Sequence, residues 1–502
     1  MVRRGSKDGA FAAMRGTEGL GAVFGIVLVA AAVFSLGAVL DNLSLDAIFG
    51  ILTVCALLLI TVPLMTWMAR KEGDRRMAKV LLWALLAKFV GTAIRYFVIT
   101  VVYGDNGDAG NYSGAGTELA RMYLKGQFTL HPPSLVGRGV ETERIGVVVG
   151  ILFVFTGSSR YAASFIFGWF CFLGQLLMWR AMHRAVPEAD HRRYALLVLF
   201  MPSMLFWPSS IGKEALMVCF VGVACYGAAQ ILGEKVSAVG VLIFIAGAGG
   251  LFFIRPHMAL IAIVSLVLAS LVSSLAGFDR EKASKAFFVR MAAIVLLLFA
   301  ASLATTQLSK VLGNGNEGEA GITSALERTK GQTSTGGSEF KPPAVSTPAD
   351  LPAAIVTVLF RPFPWEAKNL NGLIAASEGT LLAVLMITGR RRLLNWARYC
   401  LKRPYLVYTA TYAIVFIVAF SYIGNFGILA RQRTQMLPLA FTLLGMPIAV
   451  RKKPPIFGLF TSDRGDRPKR PSGKHAPTVV DDALDDPAPA PEELVAPRGA
   501  TT

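Results

Sequence analysis

A chain of 502 residues with a mean hydropathy of +0.54, 54% hydrophobic residues and only 16% charged ones does not read as a soluble domain. It returns repeatedly to apolar runs of about twenty residues, each long enough to cross a hydrocarbon core roughly 30 Å thick. The net charge of +18 lies in short loops beside those runs, with no basic face of interleaved aromatics. It therefore points to membrane orientation and anionic headgroups, and away from nucleic acid. The five cysteines form no CxxC pair and the five histidines no ligand spacing, which supports neither a disulfide framework nor a histidine metal site.

The expected fold class is an all-α polytopic transmembrane helical bundle of about twelve spans, with re-entrant or interfacial elements in outer loops. A transmembrane barrel would show segments of about ten residues alternating apolar and polar, and the sequence has none. Residues 1–19 read as a cytoplasmic N-terminus, followed by a membrane domain over 20–450. The first apolar run, Ala22 to Leu40, ends at "LDNLSLD" without a small-residue cleavage site, so it reads as a retained span. Spans are expected near 20–40, 47–68 and 80–103, before an outer loop over 104–160. Within that loop, 145–156 ("IGVVVGILFVFT") is apolar but short, and counting it as a span would put the basic loop 180–193 outside. It is expected to be re-entrant or to lie in the interface. Further spans fall near 161–180, 195–208, 214–232, 238–254, 258–277 and 291–308, then an outer loop over 309–371. Its first part, 309–353, is rich in Gly, Ser, Thr and Pro and suits a lid. Spans near 372–388, 405–423 and 434–450 close the membrane domain, and 451–502 is a polar, proline-rich tail that cannot build a core.

Lys and Arg set the orientation. The segments "ARKEGDRRMAK", "RAMHRAVPEADHRR", "FDREKASKAFFVR", "GRRRLLNWARYCLKR" and "RKKPP" fall on one side of this topology, which makes that side, with both termini, cytoplasmic. Charges that gather on the other side then need a different reason. Asp105 and Asp108 follow the third span in "GDNGDAGNY", near Tyr112. Lys213 and Glu214 occupy the turn "WPSSIGKEA", and Arg255 and His257 the turn "FFIRPHMA". Arg361, Trp365 and Glu366 lie in "LFRPFPWEAKN", and Arg431 and Arg433 in "GNFGILARQRTQMLP". Lys88 and Arg95, seven residues apart within a span, share a helical face that calls for a polar surrounding. Taken singly, these residues also suit interface anchors, turns or, for the two aspartates, caps of a helix starting near Ser113. Their convergence from five distant turns is what those readings leave unexplained.

Cations with carboxylates at the end of a helical bundle suit a substrate with its tail in lipid and a diphosphate at headgroup level. Lys and Arg would neutralise the diphosphate as it leaves, and a carboxylate would accept the proton of an incoming hydroxyl. The motifs "GDNGDAGNY", "FWPSSIGKEAL", "RPFPWE" and "RQRTQMLPL" resemble those of bacterial integral-membrane glycosyltransferases of the GT-C class and of O-antigen-type polysaccharide polymerases. The resemblance covers roughly 80–450. It implies a multi-pass protein of the bacterial inner membrane that uses a polyprenyl-linked sugar donor, a glycan acceptor, surrounding lipids and envelope-assembly partners. It puts the base on Asp108 or Asp105, although here the acidic loop follows the third span and not the first. Lys213, Arg255, Arg361, Arg431 and Arg433 would hold the diphosphate, Glu214, His257 and Glu366 would orient them, and Trp365 and Tyr112 would line the sugar site. No cofactor is expected, and a divalent metal between the carboxylates stays open. A flippase or transporter for a lipid-linked oligosaccharide, with charges near the midplane, is the alternative; a non-catalytic envelope scaffold is a third.

Overall fold

Apolar runs interrupted by Pro and Gly produce helices of very unequal length. The computed structural model describes residues 45–448 except 74, 105–106, 137–139, 234–236, 276–338, 344, 346 and 369. The expected spans near 20–40 and 291–308, the segment 309–338, Asp105 and the termini 1–19 and 451–502 lie outside the described residues. Among the described residues the chain is all-helical, with one isolated bridge between Glu339 and Asn425.

Among the described residues four helices are long and apolar enough to cross a membrane: Leu45–Lys71, Arg76–Val102, Arg160–Ala185 and Lys213–Ile231. A fifth follows if Gly372–Thr388 and Arg390–Cys400, bent by 72°, count as one span. Helix length among the described residues therefore supports four or five spans, and the expected bundle of about twelve is not confirmed. Ala238–Ile254, Pro256–Val272 and Pro404–Phe420 are apolar but shorter. The run expected as a span at 195–208 is broken at Met201, between His191–Phe200 and Pro202–Phe206. The run at 434–450 forms no long helix. It folds as the turns Arg433–Gln435, Leu437–Ala440 and Phe441–Leu443, buried against the rest. Proline explains the breaks, because Pro202 and Pro438 each sit at the start of a short helix, where a missing N–H costs nothing.

Small residues bring the long helices close together. Gly174 of Arg160–Ala185 faces Val218 and Cys219 of Lys213–Ile231, and Gly222 lies against the Gly174 backbone, leaving no room for a side-chain carbon. Such close backbone approach is the usual means of helix association where burial from water contributes little. Ala238–Ile254 runs antiparallel to Lys213–Ile231, with Gly247 against Ala224 and Gly250 against Phe220. Arg255 is thereby brought to the same end as Lys213.

The expected re-entrant segment is the helix Val140–Thr156, and it packs on Asp108–Leu124. Ala115 meets Gly146, Gly116 meets Val149, and Leu119 meets Gly150. These contacts advance together along both helices, so the pair is parallel, and its N-termini, with Asp108 and Glu141, lie at one end.

Candidate functional site

Each charged side chain of the site is placed by a helix terminus. Lys213 and Glu214 open Lys213–Ile231 after an N-cap glycine, Gly212. Arg255 caps Ala238–Ile254, its N–H donating to the Leu251 carbonyl at 2.7 Å, where a cation also complements the helix dipole. Arg431 rides on the short helix Phe426–Gln432, capped by the Asn425 side chain, which accepts from Gly427 N at 2.9 Å and Ile428 N at 3.2 Å. Asp108 is the first residue of Asp108–Leu124, a position that favours a negative charge. The helix thus begins five residues before Ser113, where the sequence pattern suggested its start.

These ends meet. Arg431 Nη1 lies 3.7 Å from Asp108 Oδ2, across more than three hundred residues of sequence. Lys213 Nζ is 3.4 Å from Glu141 Oε2 and 3.3 Å from Thr142 Oγ1, and Arg255 Nε is 3.8 Å from the same Glu141 oxygen. Arg255 also donates to the Gln432 side-chain oxygen, which accepts from Gln435 Nε2 at 2.7 Å. Glu214, half-buried, feels the charges of Arg431, Arg255 and Arg95. Arg95 is 8% exposed, with its guanidinium 4.8 Å from the Phe206 ring centre and 4.9 Å from that of Trp207. His257 lies beside Arg255 and Glu141. Tyr112 is buried against Asp108, Glu214, Arg255 and Thr142. Burial first, and then the charges of Asp108 and Glu214, push its pKa up, so the phenol stays a hydrogen-bond donor.

Four cations, Arg95, Lys213, Arg255 and Arg431, thus face three carboxylates, Asp108, Glu141 and Glu214. The ion pairs among them are long, 3.4–3.8 Å, and none is a two-pronged fork. Elsewhere the chain closes its arginines tightly: Arg403 Nε donates to both Glu188 oxygens at 3.2 and 3.1 Å. Loose pairs around a surplus positive charge are the arrangement that can exchange partners with an anionic ligand. The Asp108 carboxylate is 68% exposed while the Arg255 side chain is 14% exposed, so the cluster opens to its surroundings on the Asp108 side. The same helix pair carries an apolar groove of about 500 Å³ lined by Tyr123, Phe128, Val147, Ile151, Val154 and Phe155. Among the described residues no group of three His, Cys, Asp or Glu side chains is placed to hold a metal ion.

The remaining expected residues form a second group. Arg361 Nε donates to both Glu366 oxygens at 3.0 and 3.1 Å, and its guanidinium lies over Phe340 and Phe426 at 4.6 and 5.1 Å. Arg361 is therefore held by a closed fork and two rings. Trp365 is 81% exposed and stacks on Phe363. Arg433, expected at the mouth beside Arg431, lies instead in the interior. It donates to the carbonyls of Leu359, Arg361 and Ala375 and sits 3.6 Å from Glu378 Oε2. Two residues apart on a helical backbone point in nearly opposite directions, so Arg431 and Arg433 cannot serve one ligand.

Lys88 and Arg95 do share a face, turned toward 202–207, but only Arg95 joins the site. Lys88 Nζ donates to the Met204 carbonyl at 2.7 Å and contacts Cys171 Sγ at 3.1 Å. The helical partner of that carbonyl would be residue 208, which is Pro208 and has no N–H. Lys88 makes good a backbone bond. Sequence reasoning passed over Glu141, Thr142 and Gln432; the acid-rich "VETER" ahead of an apolar run was the available signal for the first two.

The Arg361–Glu366 fork carries a pH-dependent contribution. Burial alone would raise the Glu366 pKa, but the Arg361 fork and the Phe363 N–H outweigh it and hold the carboxyl below its ordinary value. A carboxyl depressed in the folded state stabilises above its unfolded pKa of about 4.3, and the contribution is lost as pH falls through the folded value. Wild type is therefore expected to melt above Glu366→Gln at neutral pH, with the gap closing as the pH falls through the depressed folded value. A gap unchanged in acid would mean that Glu366 acts by packing alone.

No protein-family profile, curated protein or solved structure matches the chain. A functional reading therefore rests on the geometry of the charged cluster.

Proposed function

We propose that this chain is a membrane glycosyltransferase or polysaccharide polymerase, which takes a sugar from a polyprenyl-(di)phosphate-linked donor at the outer face of the bacterial cytoplasmic membrane and passes it to a glycan acceptor. The observation that carries the reading is the meeting of Asp108, Lys213, Arg255 and Arg431 at one end of apolar helices, from turns far apart in sequence. In this reading the Lys/Arg-rich loops beside the apolar helices turn that end outward, with both termini in the cytoplasm. The resemblance to GT-C enzymes and O-antigen-type polymerases agrees with it.

The chemistry follows from position. The acceptor hydroxyl oxygen forms a bond to the anomeric carbon while the bond from that carbon to the phosphate oxygen breaks. The leaving (di)phosphate takes the electron pair and is neutralised by Arg431, Arg255 and Lys213. Asp108, the most exposed carboxylate of the cluster, takes the acceptor proton. The apolar groove of Tyr123, Ile151 and Phe155, on the helices that carry Asp108 and Glu141, suits a lipid-borne donor. The discontinuous helix at Met201, beside Arg95, favours a second reading, a transporter of lipid-linked saccharide.

The test is the profile of surface and lipid-linked glycans in wild-type cells and in cells lacking the protein. Loss of a polymer or a sugar branch, with its lipid-linked precursor accumulating on the outer leaflet, is the expected result. Accumulation on the cytoplasmic leaflet would replace the reading with transport, and an unchanged profile would reject both.

A further inference from the structure

Arg95 is the one cation of the cluster whose donors are buried without being used. Its side chain is more than nine-tenths buried, yet Nε and Nη1 find no hydrogen-bond partner among the described residues. Its guanidinium is fixed against Phe206 and Trp207, so it cannot swing away to reach water. A buried guanidinium with idle donors is costly unless something else satisfies it. The charges that act on it most are those of Arg431 and Glu214. Glu214 stands among Arg95, Arg255 and Arg431, but among the described residues it makes no ion pair within 4 Å with any of them, and its carboxylate is held by its own backbone N–H. Arg431 is engaged only loosely, with Asp108.

We infer that Arg95, with Arg431, receives a phosphoryl group at the floor of this site, and that Glu214 is a resident anion which opposes that group and sets how tightly it is held. The inference rests on the reading above only for the lipid that carries the phosphate. A tetrahedral phosphoryl group has the oxygens to take the two idle Arg95 donors and an Arg431 donor at once. Three arginines and Lys213 acting without opposition would retain a diphosphate product. The fixed charge of Glu214 raises the energy of the bound anion and speeds its release. The Lys213–Ile231 helix begins at this point with no side-chain bond from its N-cap Gly212, so the positive end of its dipole adds to the attraction. Tyr112, which remains protonated beside Glu214, is one more donor at the rim.

The experiment uses the full chain in nanodiscs of zwitterionic lipid. Binding of inorganic pyrophosphate and of farnesyl diphosphate is measured for wild type, Glu214→Gln, Arg95→Lys and Arg95→Gln, with Arg121→Gln as a control for loss of one positive charge. Glu214→Gln is expected to tighten pyrophosphate binding by about tenfold, the scale of one charged contact, and Arg95→Gln to weaken it by about as much or more. Arg95→Lys, which keeps the charge but loses the fork, should fall between wild type and Arg95→Gln. Pyrophosphate affinity unchanged or weakened in Glu214→Gln overturns the inference, as does an Arg95→Gln that matches Arg121→Gln. Should Arg95→Gln fail to fold, Glu214→Gln decides alone. Farnesyl diphosphate binding more tightly than pyrophosphate places the phosphate on a lipid. Equal affinity keeps the phosphoryl site while removing the lipid-linked donor proposed above, so the two failures are distinct.

Discussion

Glu378→Ala is expected to destabilise the fold by about 3–5 kcal/mol, because it strands a buried arginine. Arg433 is 1% exposed and lies 3.6 Å from Glu378 Oε2; its Nη atoms also donate to main-chain carbonyls, while its Nε finds no hydrogen-bond partner among the described residues. Glu378 works in the opposite direction as well. Its carboxylate accepts from the Ser203 N–H at 3.2 Å and from the Ser203 hydroxyl, capping a short helix whose own N-cap residue, Met201, provides no side-chain bond. One carboxylate thereby ties the Pro202–Phe206 turn to the segments around Leu359 and Ala375. The turn carries Phe206 and is followed by Trp207, the two rings that hold Arg95, so loosening it loosens the charged cluster. Glu378→Gln keeps the acceptor oxygen and should lose less. The check is thermal or denaturant unfolding of both variants in one detergent. An alanine variant as stable as wild type would mean that Arg433 is satisfied by the carbonyls alone.

On the proposed glycosyl transfer, Asp108→Asn is expected to lower the transfer rate by about 10²–10⁴-fold, the usual share of a positioned general base, with little change in affinity for the donor. The asparagine keeps the size of the side chain and its place at the start of Asp108–Leu124. It removes only the ability to take a proton and the 3.7 Å pairing with Arg431. The rate is read with purified protein, a lipid-linked donor and acceptor glycan, and kcat is separated from KM. In cells the same variant should reproduce the glycan profile of the deletion at normal protein abundance. A variant that keeps kcat and raises only the donor KM would make Asp108 a positioning residue for Arg431. The base would then be sought elsewhere in the cluster, Glu141 being the next most exposed carboxylate.

Much of this protein was legible before any tertiary contact was known. Apolar runs of about twenty residues pointed to helices that could span a membrane, and four described helices are long and apolar enough to do so. The turns holding Asp108, Lys213, Arg255 and Arg431 stood out because charge beside a helix end in such a chain needs a reason. Period also placed Lys88 and Arg95 on one face, and both do turn toward the same short segment. Hydropathy overcounted where proline divides a run. The segments 195–208 and 434–448 are largely buried in protein, and as short helices and turns they give no membrane-length element.

What only the tertiary structure decided is which faces meet. Periodicity assigns a side chain to a face of its own helix and carries no information about the partner face. The parallel packing of Asp108–Leu124 on Val140–Thr156 through Gly116 and Gly150 brought Glu141 to Lys213 and Arg255. Arg431 and Arg433 read alike in sequence, yet one lies at the open cluster and the other in the interior, because a step of two residues reverses direction on a helical turn. Lys88 and Arg95 read alike too, yet the missing N–H of Pro208 engages the first and leaves the second with free donors. The sequence by itself determined apolar helices, several of which could span a membrane, and the supply of charge. The contacts between helices decided which of those charges remain available for chemistry, because a buried cation either closes on a local acceptor or stays open to a ligand.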